Sequence, residues 1–285
     1  MAAARPLKIE VPTGLRELRA LSGNAELSRW EHEVVHFLGA HYRTFSNFPG
    51  YFATQGLNFQ ILRQLLPEYF GDRYDVVLEV GCGTGFQSLL LAPHAERLVG
   101  IDIPGEYLGY VMPGFVSSAE MASFLVNDCF GVDWAQFRDA FPHDVGLPAA
   151  SADLVFSWTV LEHVPELPPM FAEMARIVKP GGVMIHVVPS VMSALSTLVQ
   201  ENVRPRSLRS QLAAVRRRQP RLRLGRGWRI PELHSEFLRG RGDYIDQLNL
   251  YVTDSFVHPV LEAGFAVERL LWLRDFNVAI VARKL

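Results

Sequence analysis

Ten residues, Val76-Val77-Leu78-Glu79-Val80-Gly81-Cys82-Gly83-Thr84-Gly85, restrict this chain more than any other stretch. A run of β-formers that ends in a glycine-rich turn and continues into Phe86-Gln87-Ser88-Leu89-Leu90-Leu91-Ala92 predicts a buried parallel strand handing over to a helix. The glycines let the backbone turn sharply and approach a ligand with no Cβ in the way, and the helix that follows aims its free N–H groups at the same place. The reading is a nucleotide site, against the plainer one of a glycine-rich turn with no ligand. The spacing is G-x-G-x-G, and Phe86 stands where a dinucleotide fingerprint has its third glycine. Glu79 adds a carboxylate at the mouth of the site, which repels a pyrophosphate and attracts an ammonium group.

The 285 residues suit one large domain, or one domain with a cap, and their net charge of −2 gives no global field toward nucleic acid or membrane. No stable nucleic-acid complex is therefore expected. The two cysteines, Cys82 and Cys129, form no metal or disulfide pattern, which fits a reducing compartment. Met1 to Glu10 lacks the apolar core of a signal peptide, and no transmembrane stretch occurs. The expectation is a soluble, cytoplasmic protein.

Along the chain, residues 1–24 read as an irregular lead-in. Leu27, Trp30, Val34, Phe37 and Leu38 mark an amphipathic helix, and Gln55 to Leu66 a second, either covering the site or packing on the sheet edge. Arg97 to Ile103 is a second strand that ends on Asp102, seventeen residues after Gly85. A carboxylate there accepts from both ribose hydroxyls of a nucleotide, or is simply a surface acid at a strand end. Tyr107, Tyr110, Met112, Phe115, Met121 and Phe124 then populate a long connection, as core or as substrate pocket.

Phe141 to Pro148 is expected to end a short third strand, which puts Asp144 on the same rim, where it accepts from the amine of an adenine. Ala152 to Trp158 is a fourth strand, Met170 to Val178 a helix stopped by Pro180-Gly181-Gly182, and Val183 to Val188 a fifth strand. This alternation predicts an α/β, doubly wound parallel sheet with ligands on its carboxyl rim. After a helix over Ser255 to Ala263, Phe265 to Leu273 and Val278 to Ala282 form an antiparallel pair, so the last strand inserts against the parallel set.

Between Ser190 and Val257 the rhythm lapses, and ten arginines fall between Arg204 and Arg229 with no acid or lysine among them. The basic segment 204–229 faces an anionic acceptor, a carrier protein, nucleic acid or a lipid surface, or is a solvated basic helix.

Taken together, these elements resemble the class I S-adenosylmethionine (SAM) methyltransferases, whose Rossmann-like sheet has seven strands with an antiparallel last strand. Leu147-Pro148, Val160-Leu161-Glu162-His163-Val164 and Arg176-Ile177-Val178-Lys179-Pro180-Gly181-Gly182 resemble the small-molecule group typified by ubiquinone and menaquinone methyltransferases. The resemblance implies a SAM-binding domain over residues 70–190 and 255–285, a helical N-terminal lead-in or cap over 1–69, and an inserted cap over 191–254. It assigns Gly81, Cys82, Gly83 and Gly85 to the cofactor turn and Glu79 to the methionine ammonium. Asp102 takes the ribose hydroxyls, Ile103 the adenine face, Asp144 and Val145 the adenine edge, and the backbone of Ser157, Trp158 and Thr159 the methionine end. Ser157-Trp158-Thr159-Val160 lacks the Pro-Pro-aromatic motif used on exocyclic base amines.

Methyl transfer needs the acceptor held in line, and a base only where the acceptor carries a proton of high pKa. His163, just past the fourth strand, is the candidate catalytic residue, against a structural role hydrogen-bonding the next helix. Thr159 stands where related metal-ligating arrangements have an acid, so no metal is expected. His36, His41 and His234 fall in cap segments. The expected function is methylation of a small or carrier-linked metabolite, at oxygen. The alternatives are an anionic, glycan- or membrane-associated acceptor that engages the arginines, and a SAM-fold binding partner without turnover.

Overall fold

The computed structural model describes residues 24–40, 51–71, 73–105, 114–164, 166–189, 228–229, 249–250, 253–273 and 277–285. Two helices, α1 (Asn24–Ala40) and α2 (Tyr51–Leu65), and a short α3 (Pro67–Phe70) precede the sheet. Then come β1 (Tyr74–Val80), α4 (Phe86–Leu91), β2 (Ala95–Asp102), α5 (Ser118–Ser123), β3 (Ala135–Asp139), β4 (Ala152–Trp158), α6 (Leu167–Ile177) and β5 (Val178–Pro189). A two-residue pair follows, β6 (Trp228–Arg229) with β7 (Asn249–Leu250), before α7 (Thr253–Glu262), β8 (Phe265–Trp272) and β9 (Asn277–Lys284).

The strands form a seven-stranded sheet in the order β3-β2-β1-β4-β5-β9-β8. The first five are parallel and β9 runs antiparallel between β5 and β8, as the chain's pattern predicts. β1 is central and loses its side chains to both faces: Val77 joins one core cluster, Leu78 and Val80 the other. Such strands read as continuous apolar runs because helices cover them on both sides.

One face carries α1, α2 and α4, with Trp30, Phe59 and Phe86 in its core; the other carries α6 and α7 through Phe171 and Phe256. The N-terminal helices therefore pack on a sheet face, where the rings of Phe59 and Phe156 meet edge to face at 6.1 Å. They are joined by an ion pair out of solvent, Arg63 Nε to Glu31 Oε1 at 2.9 Å.

Two expectations need correction. The third strand ends at Asp139, and Phe141 to Asp144 is a tight turn closed by an isolated bridge between its ends. Pro142 has no N–H to continue a ladder, so the turn falls there. Pro180-Gly181-Gly182 does not separate helix from strand either; it is a bulge inside β5, with the register to β4 shifting across it and Gly181 at φ 75°. Met121 and Phe124 are buried core. The arginine-rich segment apart from Trp228–Arg229, together with Tyr107, Tyr110, Met112, His41 and His234, lies outside the described residues.

Candidate functional site at the carboxyl rim

The glycine turn carries β1 into α4 by holding Gly81, Gly83 and Gly85 at φ values of 74°, 50° and 83°, a region that side chains disfavour. Backbone bonds fix its path: Gly81 and Cys82 donate to Ile101 O at 2.7 and 2.9 Å, and Gly85 donates to Cys82 O at 2.8 Å. Cys82 is buried within it. A Cβ on Gly83 would meet nothing within 4 Å, so the turn is open at that point. A Cβ on Gly81 would overlap Val160, which presses the turn against the segment that follows β4.

Asp102 ends β2 beside this opening. Its two carboxylate oxygens accept from Gly83 N and Ile103 N, both at 2.8 Å. Burial raises it to about 6, against the pull of those two amides and with a smaller push from Asp139. It is ionised at neutral pH, and the lone pairs left over suit hydroxyl donors. Ile103, just past the strand, is partly exposed on the same rim.

Glu79 departs from expectation. It is not at an open mouth but buried beneath the turn, where Ser88 of α4 donates to it. Burial lifts it to about 8, the Ser88 hydroxyl opposes that, and the Asp102 charge adds to it. The reason is topological, since β1 is covered on both faces and the side of Glu79 lies under α4.

Asp144 and Val145 also lie differently from the expected strand end. Asp144 is exposed in the turn, while Val145 is buried and gives its N–H to Glu173 Oε1 at 3.0 Å. The acid that does end the third strand is Asp139, directly opposite Asp102 in register. Ala135-Gln136-Phe137-Arg138 alternates apolar and polar and the alternation breaks at Asp139, the signal that could have marked its end. Beside it is a cavity of about 330 Å³ lined by Phe115, Ser117, Glu120, Phe124, Phe137 and Asp139.

On the far side of the turn, Ser157 near the end of β4 is buried and paired with His186 of β5, Oγ to Nδ1 at 2.7 Å. His186 is pushed down to about 3 by burial and stays neutral. Trp158 is buried with its indole N–H unbonded. Thr159 takes φ 52°, rare for a β-branched residue, and is held by its N–H to Val187 O at 2.8 Å. This turn delivers a 3₁₀ segment, Leu161–His163. His163 is partly exposed there, its Nε2 3.8 Å from Glu162 Oε1.

Glu162 is fully buried, and among the described residues neither of its oxygens has a hydrogen-bond partner. Sequence reasoning weighed it only as a metal ligand. Among the described residues no three metal-ligating side chains converge.

The sequence pattern described as a methyltransferase domain matches residues 78–186, which hold the turn, Asp102 and the segment after β4. A protein of Mycolicibacterium smegmatis named as a probable S-adenosylmethionine-dependent methyltransferase is 27% identical over 114 residues, 40% of this chain and 38% of its own length. Over residues 78–186 the chain is similar to SAM-dependent methyltransferases. The malonyl-[acyl-carrier protein] O-methyltransferase of Serratia marcescens is also 27% identical, over 38% of this chain and 36% of its own length. The matches thus span less than two fifths of these relatives. The geranyl diphosphate C-methyltransferase of Streptomyces coelicolor A3(2), solved with S-adenosyl-L-homocysteine, shares the fold at a TM-score of 0.51 and 12% identity, over 80% of this chain and 79% of its own.

Proposed function

We propose that the protein binds SAM at the glycine turn and transfers its methyl group to a small or carrier-linked metabolite at oxygen. The observation that carries this reading is the meeting of the open Gly83 with Asp102, whose carboxylate is already oriented by the turn's own amide. When bound, SAM supplies a methyl carbon made electrophilic by an adjacent sulfonium. Asp102 takes the ribose hydroxyls, and Ile103 lies along the adenine, with Asp139 and Asp144 the acids nearest its edge. Glu79, buried and weakly satisfied, gains from an ammonium placed against it by ionising beside that charge. The Ser157–Thr159 backbone bounds the methionine end. His163, partly exposed on the next turn, accepts the acceptor's proton.

The carrier-linked class is supported by the relative named as a malonyl-[acyl-carrier protein] O-methyltransferase. The narrower likeness to ubiquinone and menaquinone methyltransferases and the part played by segment 204–229 toward an anionic, glycan- or membrane-associated acceptor belong to the same proposal. So does the division into a lead-in, a SAM-binding domain and an inserted cap. Isothermal titration with SAM tests the first half: micromolar binding is expected, and no heat at millimolar SAM defeats it. Methyl transfer from labelled SAM over metabolite pools, with Asp102→Ala as control, tests the second.

A further inference from the structure

A buried carboxyl group with no hydrogen bond is among the costlier arrangements in a protein interior, so Glu162 calls for a reason. Its surroundings supply one. Val160 fits against Gly81, so the turn that carries Glu162 is locked to the cofactor loop. The strained Thr159 and its bond to β5 set the direction of that turn. The nearest opposite charge Glu162 can acquire is the His163 imidazole, 3.8 Å away and partly open to the rim while the carboxyl is not.

We propose that Glu162 is a positioning residue for His163, holding its Nε2–H so that Nδ1 faces the acceptor and takes the acceptor's proton. The inference rests on the methyl-transfer reading above. The balance is simple. The competent pair is an ionised Glu162 with a neutral His163 that carries its proton on Nε2. The proton leaving the acceptor hydroxyl goes to Nδ1, the lone pair it leaves stays on the acceptor oxygen, and the pair becomes imidazolium and carboxylate with no net charge. Water later removes the proton.

Other groups around the turn do not take this part. Of the titratable groups on the neighbouring elements, His186 of β5 is neutral and engaged with Ser157, Glu79 of β1 is bonded to Ser88, and Cys82 of the glycine turn is buried. Among the described residues, β7 (Asn249–Leu250) also lies against the turn. Burial is the main cause that raises Glu162.

NMR titration of the imidazole C–H resonances of the full chain tests the proposal, with His163 assigned through His163→Gln. In the wild type, His163 is expected to follow two steps, its own and that of Glu162. In Glu162→Gln the second step disappears and the His163 midpoint falls by about one pH unit or more, about tenfold in proton affinity. Identical His163 curves in the two proteins would overturn the proposal. If Glu162→Gln does not fold, a single-step His163 curve in the wild type has the same force. SAM titration is independent of this readout. Failure to bind SAM removes the methyl-transfer reading and leaves the pairing standing, whereas an unchanged His163 curve with normal SAM binding removes only the pairing.

Discussion

Glu79 and Glu162 stand on the two halves of one rim, and both are buried and lifted to about 8. Glu79 lies in a strand and has the Ser88 hydroxyl; Glu162 lies in a 3₁₀ turn with no bonded oxygen. Equal burial thus leads to different chemistry. The first carboxyl is partly satisfied within the fold and needs a cation only to ionise. The second has the His163 imidazole 3.8 Å away as its nearest basic group among the described residues. On the proposed reading, the cofactor half of the rim is built in advance, and the acceptor half is completed in the reaction.

The largest expected effect falls on the seam between the halves. Gly81→Ala adds a Cβ at φ 74° that overlaps Val160, and about 3 kcal/mol of stability should be lost in urea unfolding. Gly83→Ala, with the same kind of backbone but open space, should lose about half of that. Equal losses would mean that the two halves are not locked together there.

Next, Asp102→Ala should weaken SAM binding by about 2 kcal/mol, near thirtyfold, in isothermal titration. His163→Gln should leave that affinity alone; a comparable loss would erase the distinction between the halves.

The carboxyls themselves give the third test. Each is raised in the folded state above an unfolded value of 4.5, so folding takes up a proton. That contribution is full below the unfolded value and is lost as pH rises toward 8, at up to about 1.4 kcal/mol per pH unit for each group. Urea midpoints between pH 5.5 and 7.5 should therefore decline less steeply in Glu162→Gln than in the wild type. An unchanged slope would show that Glu162 is already ionised.

The smallest effect separates the two acids by ligand. SAM binding at pH 7 should release close to one proton from Glu79, seen as an enthalpy that varies with the buffer, and Glu79→Gln should abolish the variation. Release that persists in Glu79→Gln would place the ammonium elsewhere.

The glycine turn with Asp102 beside it was legible in the sequence because local rules act there. Three glycines in five residues and an acid at a strand end leave few folds, and the alternation of strands and helices gave the sheet with its inserted β9. Legibility failed where tertiary contacts decide. Asp144 looked like a strand end because Phe141 and Val145 are apolar, yet Val145 serves the core below the turn and the edge strand stops at Asp139. Glu79 appeared to face the ligand because nothing in a one-dimensional pattern shows that Ser88 closes over it. Ser157 and His186 are twenty-nine residues apart and become partners only through the β4–β5 register.

The position of β9 has a consequence for how the molecule is made. β8 touches the sheet only through β9, and β9 is the last of the described strands in chain order. While the chain is being synthesised from its N-terminus, the edge of β5 stays open and β8 has nothing to pair with until residues 277–284 emerge. The parallel half, with its cofactor turn, can form first and wait with one unprotected edge, the kind of surface on which strands of other chains add. For this sheet the arrival of β9 is also the closing of the open edge of β5.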